Sequence, residues 1–551
     1  MPGESSGSAV FRGPLSATGL LLSALVFSAS LSPSLVPRDA LMQGVLSGLS
    51  AGIGYGAGVF GCWMWAYLEL PFPGPATARK LRWLASAGCL AVAAIFLWNA
   101  MGWQNSLREL MEMQPLDARQ PLTVGAVALA VFGVIILFSR LFHFVFRILA
   151  SRLSTRIPPR IANLLAVFAA ALLFWSLVDG IVFRQLLRVA DTSYEAFDSF
   201  ADVDIAQPRE RWQTGSDASL IDWNSLGRRG REFIAGAPPA TEISELLGTR
   251  AMDPLRIYVG LRSADDAQTR ARLALQEMLR VGAFERSVVV VATPTGTGWM
   301  DPMAMDTLDF LHAGDVATVA VQYSYLASWL SLLVEPGYGA ETSRALFAAV
   351  YGHWKSMPSE QRPRLYLFGL SLGALSSERS ASFYELLGEP PQGAFWVGPP
   401  FASSIWRHTT EQRVAGSPAW LPRYGDGSIV RYTGQTNALA IDGAKWGPLR
   451  IVYLQYASDP ITFFEPTMFF RQPEWFLPPR GPDVSADLRW YPIVTGLQVA
   501  VDIMLATEVP LGYGHAYAPE HYIDGWLEVT QPAGWTETSL KSLKARFAGR
   551  R

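Results

Sequence analysis

Residues 364–373 read Arg-Leu-Tyr-Leu-Phe-Gly-Leu-Ser-Leu-Gly. The first six form a short apolar run of strand length. The last five, Gly369-Leu370-Ser371-Leu372-Gly373, fit the pattern G-x-S-x-G, and a helical stretch follows from Leu372 to Leu387. A serine between strand and helix sits on a tight, strained turn, where a side chain at either glycine collides with neighbouring backbone. The turn lifts the hydroxyl above the sheet, at a helix start where developing negative charge is favoured. The pattern alone recurs by chance. Its strand–turn–helix setting is what makes Ser371 a candidate nucleophile.

Outward from this corner, strands and helices alternate. Arg256–Leu261, Ser287–Thr293, Val316–Gln322, Gly393–Val397 and Arg450–Tyr456 read as further strands, and Asp265–Arg280 and Ala340–Trp354 as helices. Ser-Val-Val-Val-Val-Ala-Thr at 287–293 is a continuous apolar run, as a strand buried on both faces requires. Alternation of this kind predicts an α/β domain with a mainly parallel, doubly wound sheet over about 255–551. Its chemistry belongs at the carboxyl ends of the strands. A cap-like insertion is expected near 401–449, where Trp406, Trp420, Tyr424 and Tyr432 fall between two strands.

A serine hydroxyl needs a base, and in this kind of corner the acid and then the histidine follow the serine in the chain. Downstream of Ser371 stand His408, His515 and His521. His515 lies in the loop Gly512-Tyr513-Gly514-His515 and is the favoured base, with His521 as the alternative. His408 precedes both acid candidates. Asp459 follows the strand ending at Tyr456, in Ala457-Ser458-Asp459-Pro460, and would orient the imidazole; a turn-capping role is the bland reading, and Glu465 is a weaker acid candidate. Oxyanion donors are expected from the N–H of Leu372 and from the loop after Thr293, at Thr295, Gly296 or Thr297. That loop lacks G-x-x-x-x-G-K-[ST], which argues against a nucleotide. The six histidines hold no pair at metal-binding spacing, so neither a metal nor another cofactor is expected.

The first third differs in kind. Half of the 551 residues are hydrophobic and 17% are charged, with a mean hydropathy of +0.19, which suits a membrane part joined to a soluble part. A net charge of −2 gives no sign of a nucleic-acid partner. The only cysteines, Cys62 and Cys89, lie in apolar stretches and read as buried small side chains.

Five stretches are long enough to span: Leu15–Ser34, Leu41–Leu68, Leu81–Trp103, Leu122–Phe138 and Ile161–Phe183. Together they predict a transmembrane helical domain over 1–188, followed by a connector over 189–254 with Phe197, Phe200, Trp212 and Trp223 among polar residues. Arg79, Lys80 and Arg82, and then Arg140, Arg147, Arg152, Arg156 and Arg160, point two loops to the cytoplasm. Arg108 and Arg119 are offset by Glu109, Glu112 and Asp117, which suits the outer side. The large C-terminal part then lies outside, against which Arg184 and Arg188 weigh. Arg12 followed by an apolar run to Ala29 also fits a cleaved signal peptide. Gly44, Gly48, Gly52 and Gly56 line one face of the second span, with Gly54 and Gly58 on another. Such faces pack within a bundle or support a homo-oligomer.

Ser30–Asp39 (SLSPSLVPRD), Thr293–Trp299 (TPTGTGW), Gln322–Ser331 (QYSYLASWLS), Gly369–Gly373 and Gly514-His515-Ala516-Tyr517 together resemble a bacterial family of multi-pass membrane proteins. That family joins a membrane N-terminal domain to an α/β-hydrolase catalytic domain, and the similarity runs over nearly the whole chain. The resemblance implies an α/β-hydrolase fold and a serine-hydrolase site at Ser371 with the Thr295–Thr297 loop. It leaves the substrate open. Many relatives would carry Glu before the nucleophile, where this chain has Leu370.

The leading expectation is an esterase or lipase of the plasma membrane, acting on a lipid or acylated envelope molecule through an acyl-enzyme. An acyltransferase with the same intermediate is the alternative. A non-catalytic membrane protein with a vestigial hydrolase domain is the third reading. Phe463, Phe464, Met468, Phe469, Phe470, Trp475 and Phe476 form either core or an apolar surface for lipid.

Overall fold

The computed structural model describes residues 15–71, 74–116, 120–176, 205–325, 338–381 and 388–549. Its contacts divide the chain into a helical unit and a sheet unit. The helical unit is Met1–Arg188 with Glu465–Phe476 and Val484–Leu505; the sheet unit is Val189–Phe464 with Leu477–Asp483 and Ala506–Arg551. Two stretches between the candidate acid and the candidate base are thus grouped with the N-terminal helices, where linear boundaries would assign everything after 255 to one domain.

Among the described residues the sheet unit holds seven strands: β1 (Leu255–Val259), β2 (Val288–Thr293), β3 (Val316–Val321), β4 (Arg364–Leu370), β5 (Gly393–Val397), β6 (Val430–Thr433) and β7 (Arg450–Leu454). Their order is β1-β3-β2-β4-β5-β7-β6, and every pairing is parallel. β2 is buried along its whole length, as its unbroken Val run requires. β4, which carries the G-x-S-x-G corner, is the central strand. Strand order turns back at β3 and then runs on through β4 to the other edge. A reversal of that kind opens a crevice at the carboxyl ends, here at β2 and β4. The segment expected to be cap-like contains a strand that the sequence reading lacks: β6 adds to the edge of the sheet beside β7. With only four residues, Val-Arg-Tyr-Thr, all of them buried, its alternation is too short to stand out from the surrounding loop.

The described part of the connector, from residue 205, packs on the sheet unit. Ser219 Oγ and Leu220 N–H donate to Glu277 at 2.7 and 3.0 Å. Phe197 and Phe200 lie outside the described residues, as do Arg12, Asp117, Arg119, Arg184, Arg188, residues 326–331 of the QYSYLASWLS motif, and residues 382–387 at the end of the expected helix after Ser371.

In the helical unit, α1 is Ala17–Ser30, α2 Ala40–Tyr67, α3 Pro75–Leu110, α4 Gln120–Leu153 and α5 Pro159–Trp175. Among the described residues three helices, not five, are long and apolar enough to cross a membrane: Ala40–Tyr67, Pro75–Leu110 and Pro121–Leu153. The reason is length. α1 has 14 residues, about 21 Å at 1.5 Å per residue against a hydrocarbon core of about 30 Å. It stops where Leu31-Ser32-Pro33 turns the chain. α5 has 17 described residues, and the remainder of the expected fifth span, 177–183, lies outside the described residues. Most of the glycine positions are packed from within the chain, whereas a Cβ on Gly56 would meet nothing within 4 Å. A Cβ on Gly44 or Gly48 would sit 2.6 Å from Val127 or Val131 of α4, and one on Gly58 would sit 2.7 Å from Gly19 of α1.

The Ser30–Asp39 motif is the buried turn between α1 and α2. Asp39 caps α2 by accepting from Met42 N–H at 2.7 Å. Arg38 is buried, with its Nε 3.5 Å from Asp502 Oδ1. Asp502 Oδ2 also accepts from Ser34 Oγ and from Leu35 N–H. Gln498 Nε2 donates to Ser32 O at 2.9 Å. The motif thereby fastens helix Val494–Leu505, more than 450 residues away in sequence, into the helical unit. Met468, Trp475 and Phe476 are buried, whereas Phe470 is exposed, so the aromatic cluster divides between core and surface.

Candidate active site

Ser371 adopts φ +57° and ψ −126°, a strained conformation for a residue with a side chain. Its surroundings explain the glycines. A Cβ on Gly369 would lie 2.3 Å from Gly373 O, and one on Gly373 would lie 2.2 Å from Thr293 O. The corner can therefore close only without those side chains, and its closure brings it against the loop after β2. Ser371 N–H donates to Val397 O at 2.9 Å, which ties the corner to the end of β5. Ala374 and Leu375 N–H both donate to Ser371 O. The N–H groups of Leu372 and Gly373 come before those first helical bonds.

The strand register sets the neighbours. Thr293 pairs with Gly369 and Leu370 with Val397. Two residues beyond the first pair stand Thr295 and Ser371; one beyond the second stand Ser371 and Gly398. The ring of His515 lies against Gly398: a Cβ there would be 2.5 Å from His515 Cε1 and 2.9 Å from Nδ1.

His515 and Asp459 are brought together, with His515 Nδ1 2.7 Å from Asp459 Oδ2. An ionised Asp459 accepts only, so Nδ1 carries the proton and leaves Nε2 as the basic nitrogen. Nε2 is buried and meets no hydrogen-bond partner among the described residues. Asp459 is fully buried and well supplied with donors. Oδ1 accepts from Ile461 N–H at 2.9 Å and Thr462 N–H at 3.4 Å, and Oδ2 accepts from Thr462 Oγ1 at 3.2 Å and Tyr517 Oη at 2.6 Å. The same carboxylate thus caps the turn and meets His515 Nδ1. The His515 main chain is fixed by its N–H donating to Ala506 O at 2.7 Å.

The alternatives lie elsewhere. His521 stands on helix Pro519–Thr530, and its Nδ1 is 2.5 Å from Tyr456 Oη, not at Asp459. Burial pushes its pKa down. Glu465 falls in the helical unit and accepts from Thr467 Oγ1 at 3.3 Å. His408 is on helix Ser404–Glu411, facing the ring of Tyr424.

The loop after β2 is a tight turn. Thr295 N–H donates to Trp299 O at 3.0 Å and Gly298 N–H to Thr295 O at 2.9 Å. The Thr295 N–H is thus spent inside the turn. Of the three residues expected to supply an oxyanion donor, Gly296 and Thr297 stand at the tip of this turn. The far side of the turn is held by Tyr258 Oη, which donates to Gly298 O at 2.8 Å, and by Gln322 Nε2, which donates to Thr297 O at 3.4 Å. Gly298 has φ +81° and no space for a Cβ, which would meet Tyr258 Oη at 2.5 Å. The loop ends at Asp301, which caps helix Pro302–Leu311 and accepts from Tyr522 Oη at 2.7 Å. Burial raises the Asp301 pKa to about 6.

Sequence reasoning misses Gly398, and it assigns Tyr517 no role of its own. Tyr517 was visible as part of the Gly514–Tyr517 motif; Gly398 carries no local signal. Ser371 is 3% and His515 7% exposed, so both side chains are screened from bulk water.

Two family models match the chain: the alpha/beta-hydrolase family over residues 255–543 and the alpha/beta-hydrolase family N-terminus over residues 31–238. The first alone covers more than half of the sequence. No curated protein and no solved structure matches.

Proposed function

The chain belongs to the alpha/beta-hydrolase family, and from that premise we propose that it is a membrane-anchored serine hydrolase cleaving an ester of a lipid or acylated envelope molecule. The observation that carries the reading is the His515–Asp459 pair at 2.7 Å, with the histidine ring against Gly398 and Ser371 tied to the residue before it. In this mechanism Ser371 Oγ attacks the acyl carbonyl while His515 Nε2 takes its proton. Asp459 keeps the second proton on Nδ1 and stabilises the imidazolium. The tetrahedral oxyanion is met by Leu372 N–H and by the tip of the Thr295–Thr297 loop; one such donor supplies about 2.7–4 kcal/mol. Collapse expels the alcohol, which receives the proton from His515. Water then enters by the reverse route and releases the acid.

Three apolar helices support membrane association, and a membrane-resident enzyme meets acylated amphiphiles at high local concentration. The basic residues at the start of α3 and the end of α4 favour the cytoplasm for those ends. Placing the sheet unit outside then requires the stretch that begins at Pro159 to cross as well, which a topology reporter fused after Arg188 would read directly.

Labelling of the full-length protein with a fluorophosphonate probe tests the chemistry. Wild type should label and Ser371→Ala should not. Equal labelling of the two would refute the assignment. Product analysis with glycerol or a sugar as acceptor separates release of the acid from transfer to an alcohol.

A further inference from the structure

We propose that Asp483 is a positioning residue for His515, acting through Ser458 and Gln435; this rests on the serine-hydrolase reading above. Asp483 ends the short segment Leu477–Asp483, which belongs to the sheet unit between two stretches of the helical unit. It is 2% exposed and gathers three donors on one oxygen. Oδ2 accepts from Ser458 N–H at 3.1 Å, Ser458 Oγ at 2.5 Å and Gln435 Nε2 at 2.7 Å.

Counting protons gives these bonds their direction. Ser458 has one hydroxyl hydrogen, and a carboxylate can only accept. With that hydrogen on Asp483, Ser458 Oγ presents a lone pair to the Gly514 N–H, 2.9 Å away. Gln435 must likewise turn its amide nitrogen to Asp483. The second hydrogen on Nε2 then reaches Gly512 O at 3.1 Å. A single carboxylate therefore orients two side chains, and these grip the base loop at residues 512 and 514.

The loop needs that grip. Gly512 and Gly514 have φ +101° and +53°, and glycine resists such conformations least and holds them least. The gripping residue is also adjacent to the acid. Ser458 holds the main chain just before His515 while Asp459 holds its ring, so Ser458-Asp459 sets both the position and the tilt of the imidazole. Asp483 Oδ1 meets no partner among the described residues. A buried acid with one oxygen unsatisfied is poorly suited to stabilising the fold, which fits a part kept for alignment.

The test uses the full-length protein in detergent with a fluorophosphonate probe. The limiting rate kinact, the half-saturating concentration KI and the final extent of labelling are read separately for wild type, Asp483→Leu, Asp483→Asn, Ser458→Ala and the Asp483→Leu/Ser458→Ala pair. Misplacing a reacting group by about 1 Å costs roughly 10²-fold in rate. Asp483→Leu and Ser458→Ala should each lower kinact on that scale, with KI and final extent unchanged. Asp483→Asn keeps an accepting oxygen and should recover most of the rate. The pair should fall no further than the worse single variant, because both changes remove one interaction. Variants that keep the wild-type kinact, effects that multiply in the pair, or a lost final extent at unchanged kinact in both single variants would each overturn the role of Asp483. A wild type that never labels would refute the serine-hydrolase reading instead.

Discussion

Gly398→Ala is the sharpest probe of the proposed site, because the residue touches the proposed base, His515, and has no side chain of its own. The added methyl would lie 2.5 Å from His515 Cε1, 2.9 Å from Nδ1 and 2.9 Å from Tyr517 Cε2, where ordinary contact begins near 3.4 Å. The imidazole must give way by roughly 1 Å. It has no slack toward Asp459, since the 2.7 Å hydrogen bond is already at the short limit. The movement goes into a tilt of the ring, and the tilt re-aims Nε2. A misplacement of that size costs about 10²-fold in rate, or about 2.7 kcal/mol of transition-state stabilisation at 1.36 kcal/mol per decade. The backbone adds a separate cost, because Gly398 has φ +50° and a left-handed alanine is disfavoured by about 1–2 kcal/mol. Gly248→Ala isolates that second term: its φ is +66° and a Cβ there meets nothing within 4 Å. Gly398→Ala should lose at least as much stability as Gly248→Ala in thermal unfolding, because overpacking adds to the backbone cost, and only Gly398→Ala should lose kinact toward a fluorophosphonate. If Gly398→Ala labels at the wild-type rate, the ring beside Gly398 is not the working base.

Tyr517→Phe removes the 2.6 Å donor to Asp459; with hydrogen bonds to charged groups worth about 1.5–3 kcal/mol, kinact should fall about tenfold or more, and an unchanged rate would count against Asp459 as the acid. Asp301 is raised from 3.8 to about 6 chiefly by burial. Its contribution to stability is therefore present below about pH 3.8 and lost as pH rises through about 6, by at most about 3 kcal/mol. Asp301→Asn, which can still cap the helix, should raise the unfolding midpoint at pH 7.5 and not at pH 4; equal midpoints at pH 7.5 would contradict the burial argument. Removing one partner of the buried Arg38–Asp502 pair should cost about 3–5 kcal/mol, so Asp502→Ala should unfold at clearly lower temperature than an Arg38→Met/Asp502→Leu pair. The reverse order would mean that the charges do not compensate each other.

What the sequence makes legible in the site is what it encodes locally. The demand for Gly369 arises within five residues, because the carbonyl that its side chain would strike belongs to Gly373, whereas the demand for Gly373 comes from Thr293 O at the end of β2. Asp459 and His515 stand out because each follows a strand or helix in a loop, in the order that such a site requires. Gly398 is silent by comparison. Its reason for being glycine is a ring 117 positions away in sequence, and no local pattern records that contact. Thr295 shows the opposite failure. Its position at the strand end is right for a donor, yet the turn that puts it there also consumes its N–H.

The helical unit separates composition from length. Apolar runs identify all five N-terminal helices, but spanning depends on how long the helix continues, and proline-containing turns end α1 after 14 residues. Nor does the run of Ser, Pro and Val at 30–37 look like core, since it is polar and broken by two prolines. It is buried because Arg38, Ser34 and Ser32 meet Asp502 and Gln498 from helix Val494–Leu505. Those partners come after Asp459 and before His515 in the chain. Asp502 and Ala506, whose carbonyl holds the His515 N–H, are one helical turn apart in sequence. The motif nearest the N-terminus is therefore answered by residues a few positions ahead of the histidine loop, and a chain cut between the two family matches would lose the segment that the motif serves.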